Sequence, residues 1–219
     1  DMKFVNFAGD GATYDIGLQA LSGAMERGHR MMYVCLNNEA YMNTGIQRSS
    51  ATTLGASTTT SWAGSVQSGK KEFSKDMTEV IVAHNIPYVA QVSPHNWRDT
   101  VTKASKGFAA DGPSFINAIS PCPRGWRFPT DETINMARLA VETCVWPLYE
   151  VVNGKYILTA ESARIADGKV EKKPVMEWLS AQGRFKHLLQ DRWGPVAEAY
   201  QDEVDRRWNK LLKLTELDL

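Results

Sequence analysis

The chain of 219 residues is predicted to be an α/β protein with a doubly wound, mostly parallel sheet, followed by a C-terminal hairpin and helical arm. Three observations carry that prediction. Apolar runs of strand length alternate with segments of helical periodicity. One run, "MMYVCLN" at 31–37, is apolar nearly throughout, as expected of a strand buried on both faces. The first run ends in Gly-Asp-Gly, at the strand end where sheets of this kind bind ligands.

"KFVNFAG" (3–9) is the first strand. Residues 13–27 read as a helix with Ile16, Ala20, Leu21, Ala24 and Met25 on one face, stopped by Gly28. "MMYVCLN" then completes a βαβ unit. Residues 44–71 break the rhythm, being rich in Ser, Thr and Gly. A structureless loop of this length is uncommon inside a compact domain unless it is functional, and it leaves a strand end where ligands bind, so a role at the site is expected. Next come a helix over 76–84 behind Asp76, strand "PYVAQV", a helix over 96–110 and strand "SFINAIS". A helix over 130–143 is expected to be capped by Thr130, with Asp131 and Glu132 in its first turn. In "LYEVVNGKYILT", Asn153-Gly154 between two β-like runs signals a type I′ hairpin. From Pro174 the chain is polar and helical, with Trp193, Tyr200, Trp208, Leu211 and Leu212 on amphipathic helices that pack on this domain or on a neighbouring subunit. The expected division is a ligand-binding domain over 1–147 and an arm over 148–219 that contacts another subunit.

Lys plus Arg and Asp plus Glu both number 25, so the net charge is zero and nothing favours nucleic acid or an anionic membrane as a partner. No run approaches the roughly 18 apolar residues of a membrane span, and no signal peptide pattern opens the chain, so a cytoplasmic protein is expected. Cys35, Cys122 and Cys144 are too few and too scattered for a disulfide framework. The start at Asp1, directly before a strand, leads to the expectation that this is part of a longer polypeptide. The four histidines read as surface or capping residues without metal spacing or a Ser-His-Asp grouping, and Lys70-Lys71 as a solvated pair.

Asp10 stands where a strand gives way to a helix, a common phosphate-binding position, and a bare carboxylate there would repel the phosphate. A divalent cation between them reverses the sign. Asn38 follows past one helix and one strand, in "NNEAYMNTG". Mg²⁺ takes about six oxygens, few of them from protein. The Asp10 carboxylate, the Asn38 side-chain oxygen and the Ala40 carbonyl would supply three, with diphosphate and water supplying the rest.

Gly-Asp-Gly followed at this distance by Asn-Asn resembles the thiamin diphosphate fingerprint. "GDGATYDIG", "NEAYMNTGIQ", "SPCPRGW" and "VWPLYE" together resemble the β subunit of pyruvate:ferredoxin oxidoreductase and its 2-oxoacid relatives, over residues 1 to about 160. The resemblance implies a sheet of the thiamin diphosphate-binding type, acting at an interface with other subunits of alpha, gamma and delta type. It implies oxidative decarboxylation of a 2-oxoacid, pyruvate first, with the acyl group passed to coenzyme A and electrons passed through 4Fe-4S clusters to ferredoxin. Carried over by position, Gly9 and Gly11 let the backbone approach the diphosphate, and Asp10, Asn38 and Ala40 bind Mg²⁺. Asn43 lies beside the thiazolium and substrate as the catalytic candidate, with Thr44 a backbone neighbour. Cys122 falls where the family places one 4Fe-4S thiolate, the other three lying N-terminal to the thiamin motif and outside this sequence. The alternatives are an oxidoreductase for oxalate or a branched-chain 2-oxoacid, a thiamin-dependent lyase or synthase without a redox centre, and a non-catalytic scaffold subunit.

Overall fold

The structure is a computed structural model and describes residues 2–217. Six strands form one sheet in the order β1-β2-β4-β3-β5-β6. These are β1 (Phe4–Gly9), β2 (Met31–Asn37), β3 (Tyr88–Val92), β4 (Ser114–Ile119), β5 (Tyr149–Val152) and β6 (Lys155–Leu158). The first four are mutually parallel, and β5 and β6 join antiparallel at the far side. The expected α/β, mostly parallel architecture with a hairpin and a helical C-terminal part is the one observed. The hairpin turns at Asn153 and Gly154, both with positive φ (48° and 86°), which is what a type I′ turn requires.

Helix α1 (Leu18–Glu26), α2 (Met77–Val82) and the long α8 (Gly194–Thr215) carry much of the larger core, while α3 (Trp97–Ala109) covers a smaller cluster of Met32, Val34, Tyr88, Ala90, Val92 and Ile116 on the other face. Asp76 and Asn96 cap α2 and α3 by accepting from the backbone N–H groups of Glu79 and Asp99. The short α4 (Pro123–Trp126), α5 (Thr133–Glu142), α6 (Ala160–Ala166) and α7 (Val175–Ser180) complete the helices. None of the described helices is long and apolar enough to cross a membrane.

Three local expectations are corrected. The helix read over 13–27 is one turn of π-helix, Gly11–Ile16, broken at Gly17 before α1, so Ile16 points outward and is 81 % exposed while Leu21 and Met25 enter the core. Thr130 opens a separate 3₁₀ turn, Thr130–Glu132, and α5 starts after it without a side-chain cap. His29 is exposed as expected, but the other three histidines are not mere surface groups. His84 bonds to Ser22 and to the Val80 carbonyl and His187 to the Ser68 carbonyl, each tying separate segments together, while His95 bonds locally to Ser93 beside Glu161.

At the open side of the sheet, β1 leaves Phe4 and Phe7 about two-thirds exposed, at 69 % and 65 %.

Candidate functional site

Parallel pairing of β1 with β2 sets Gly9 opposite Leu36, so the turns leaving both strands emerge side by side. Asp10 is buried there. The Asn38 N–H donates to Asp10 Oδ1 at 3.3 Å. The Asn38 side-chain oxygen lies 2.7 Å from the Ala40 carbonyl oxygen and 2.9 Å from Asp10 Oδ1. Three acceptors thus face one another. A half-turn of the amide would let its nitrogen donate to both neighbours at the same distances. With the oxygen inward, the separations match the roughly 2.9 Å edge of an octahedron whose metal–oxygen bonds are about 2.05 Å. The residues predicted as cation ligands are therefore brought together at two strand ends.

Burial pushes the Asp10 carboxyl up to about 7, opposed by the Ser49 hydroxyl, which donates to Oδ2 at 2.5 Å. A divalent cation would offset that desolvation and hold the carboxylate ionised. Gly9 is exposed and a side chain there would meet nothing, leaving the strand end open to a ligand. Gly11 differs. A methyl group there would collide with the ring of Tyr41, whose hydroxyl reaches the Gly11 carbonyl at 3.1 Å. Asn43 and Thr44 lie on the exposed turn between the bridged residues Tyr41 and Gln47, where Thr44 Oγ1 donates to Gln47 Oε1 at 2.6 Å.

Residues 44–71 are an ordered part of the site. Ser49 supports Asp10, while the N–H and hydroxyl of Ser50 donate to Asp15. Lys70 is buried, contrary to the solvated reading, because its ammonium donates to the Ser49 and Thr52 carbonyls and cross-ties the segment from within. Sequence reasoning marked the segment but not Ser49 and Ser50, since a Ser/Thr-rich run carries no periodicity to tell an inward hydroxyl from an outward one.

Cys122 caps α4, its Sγ accepting from the Gly125 N–H at 3.4 Å. Trp126 of the same helix donates from Nε1 to the Asn38 carbonyl at 2.8 Å, so the two loops abut. Cys35 is buried within β2 and Cys144 beyond α5, and burial pushes each thiol up to about 12. A 4Fe-4S cluster takes four thiolates. Among the described residues no group of three metal-binding His, Cys, Asp or Glu side chains occurs, so the residues present do not make a cluster site.

The family model for the C-terminal TPP-binding domain of thiamine pyrophosphate enzymes matches residues 1–118. The chain is 46 % identical over 215 residues to pyruvate synthase subunit PorB of Thermotoga maritima, covering 98 % of this chain and 64 % of that one. PorB of Methanosarcina barkeri is 51 % identical over 189 residues, covering 86 % and 62 %. Ketoisovalerate oxidoreductase subunit VorB of Pyrococcus horikoshii is 46 % identical over 213 residues, covering 97 % and 66 %. The chain therefore spans a little under two thirds of these relatives' length. With the Gly-Asp-Gly and Asn-Asn turns converging as described, the chain belongs to the thiamine pyrophosphate enzymes, by their C-terminal TPP-binding domain, and among them to the β subunits of 2-oxoacid:ferredoxin oxidoreductases.

Proposed function

We propose that residues 1–147 hold the diphosphate of thiamin diphosphate through Mg²⁺, and that the chain serves a 2-oxoacid:ferredoxin oxidoreductase acting first on pyruvate. The carrying observation is the meeting of the Asp10 carboxylate, the Asn38 amide and the Ala40 carbonyl, the amide lying 2.9 Å from Asp10 Oδ1 and 2.7 Å from the Ala40 oxygen. Thiamin diphosphate supplies the nucleophilic carbon and electron sink for decarboxylation. This chain's residues bind and orient it. Asp10 contributes the one charged ligand, Asn38 and Ala40 neutral oxygens, and Gly9 an unobstructed approach. Asn43 is proposed to face the substrate from the exposed turn, with Thr44 beside it, and the arm over 148–219 to contact other subunits.

PorB and VorB relatives carry the names pyruvate synthase and ketoisovalerate oxidoreductase, which supports a 2-oxoacid substrate; coenzyme A and ferredoxin are proposed with it as acyl and electron acceptors of the assembled enzyme. Cys122 would be a cluster ligand only in company with three thiolates from outside the described residues. A thiamin enzyme without a redox centre is the second reading, favoured by that single thiol.

Asp10→Ala tests the site. It removes the charged ligand and leaves the diphosphate poorly compensated, so calorimetric titration of the assembled enzyme with thiamin diphosphate and Mg²⁺ should show binding lost. Binding at wild-type strength would overturn the assignment.

A further inference from the structure

The cation loop contains a residue in a costly conformation. Glu39, between Asn38 and Ala40, has φ 63°, a left-handed backbone that non-glycine residues seldom adopt unless their surroundings impose it. Its backbone N–H and carbonyl are both hydrogen-bonded, and its carboxylate sits in an ion pair whose Oε2 and Nη2 atoms meet without hydrogen-bond alignment. Its N–H donates to Asn37 Oδ1 at 3.0 Å, its carbonyl accepts from the Thr52 hydroxyl at 2.6 Å, and its carboxylate pairs with the Arg184 guanidinium at 2.7 Å.

Arg184 lies far along the chain, in the 3₁₀ segment Gly183–Leu189, and is as buried as its partner. Its guanidinium stacks 3.9 Å from the centre of the Trp126 ring, the indole that holds the Asn38 carbonyl. Its own Nε donates to Gln182 Oε1 at 2.8 Å, and its carbonyl accepts from the Ser57 N–H at 3.0 Å. Gly183 ties the segment to α4, its N–H donating to the Arg127 carbonyl at 3.0 Å, where a side chain would strike Arg127. One guanidinium thus grips the loop at two consecutive residues, by charge at Glu39 and through an indole at Asn38.

We propose that Arg184 is a positioning residue for the cation site, fixing the left-handed turn at Glu39 so that the Asn38 and Ala40 oxygens face Asp10. The C-terminal segment thereby belongs to the cofactor site without touching the cofactor. The geometry requires it in this form. If Glu39 relaxed to an ordinary backbone conformation, the peptide planes on both sides would rotate and the Ala40 carbonyl would leave the three-oxygen face.

The inference rests on the proposed Mg²⁺ and thiamin diphosphate site, and the test separates the two. In the assembled enzyme, Arg184→Met removes the charge while keeping much of the volume. Because it strands a buried carboxylate and can compromise folding, the double variant Glu39→Gln with Arg184→Met is made alongside it. Two quantities are read: Mg²⁺-dependent thiamin diphosphate affinity by calorimetry, and hydrogen exchange of amides 38–40 without cofactor. The double variant should melt near wild type, bind the cofactor about 10–100-fold more weakly, the range typical of losing an outer support of a metal ligand, and exchange faster at 38–40. Wild-type affinity and exchange in the double variant would overturn the inference and leave the pair a packing element. If the wild-type enzyme bound no thiamin diphosphate, the site assignment would fall, while exchange at 38–40 would still report whether Arg184 holds the loop.

Discussion

Gly9 and Gly11 flank the same aspartate and are glycines for different reasons. At Gly9 a side chain would stand in open space at the strand end, and at Gly11 it would enter the Tyr41 ring. Gly11→Ala should therefore destabilise the fold by about 1–3 kcal/mol, as overpacking does, read from urea unfolding. Gly9→Ala should leave unfolding nearly unchanged and weaken thiamin diphosphate binding instead. Equal unfolding midpoints for the two would contradict the distinction. The sequence assigns both glycines one reason, close approach of the backbone to the diphosphate, and misses the Tyr41 ring at Gly11 because that ring comes from another strand's end. Asp10 and Asn38 were legible because the fingerprint is local to two strand ends. Glu39 and Arg184 were not, since neither an ion pair between distant segments nor a positive φ leaves a periodic mark.

Among the elements, the segment over 44–71 departs most from regular structure and depends on an internal cation. Lys70 donates to the Ser49 and Thr52 carbonyls from a buried position, and burial pulls its ammonium down to about 8. The unfolded lysine titrates near 10.4. Between these values the unfolded chain holds more protons than the folded one, so the cost of burying the charge is fully present below pH 8 and is relieved as pH rises toward 10.4. Lys70→Met should lower stability at pH 7 by about 1–3 kcal/mol, the cost of leaving buried carbonyls unpaired. It should also flatten the wild-type gain across pH 8–10, measured as the urea midpoint. Identical pH profiles would return Lys70 to the solvated class. Helices and strands were legible from their periodicity. The displaced start of α5 and the π-turn before α1 were not, because they depend on how neighbouring turns dock.

For the whole molecule, the proposed cofactor site and the proposed cluster thiol lie on abutting loops. Cys122 and the cation loop meet through Trp126, yet they use different side chains. Cys122→Ser in the assembled enzyme should reduce iron per protomer and alter the electron paramagnetic resonance of the reduced state, while thiamin diphosphate binding persists. Full iron with unaltered signals would make Cys122 a helix cap and favour the thiamin enzyme without a redox centre. The global fold class was legible because alternating apolar runs constrain topology strongly. The open side at β1, with two exposed phenylalanines, was not, because a strand's neighbours are chosen by the fold.

The grip of the C-terminal segment on the cation loop also has a consequence in time. Thr53 bonds to Tyr200 across 147 residues of chain, and the pairing of Glu39 with Arg184 is nearly as distant. A ribosome adding roughly 5–20 residues per second needs on the order of 10 s to make the chain between them. The strands that carry Asp10 and Asn38 can pair early in that interval, but the turn at Glu39 has no guanidinium to hold it until the interval ends. If the site binds as proposed, loading of the cofactor would wait until Arg184 has been made, so a nascent chain that ends before it would not sequester thiamin diphosphate.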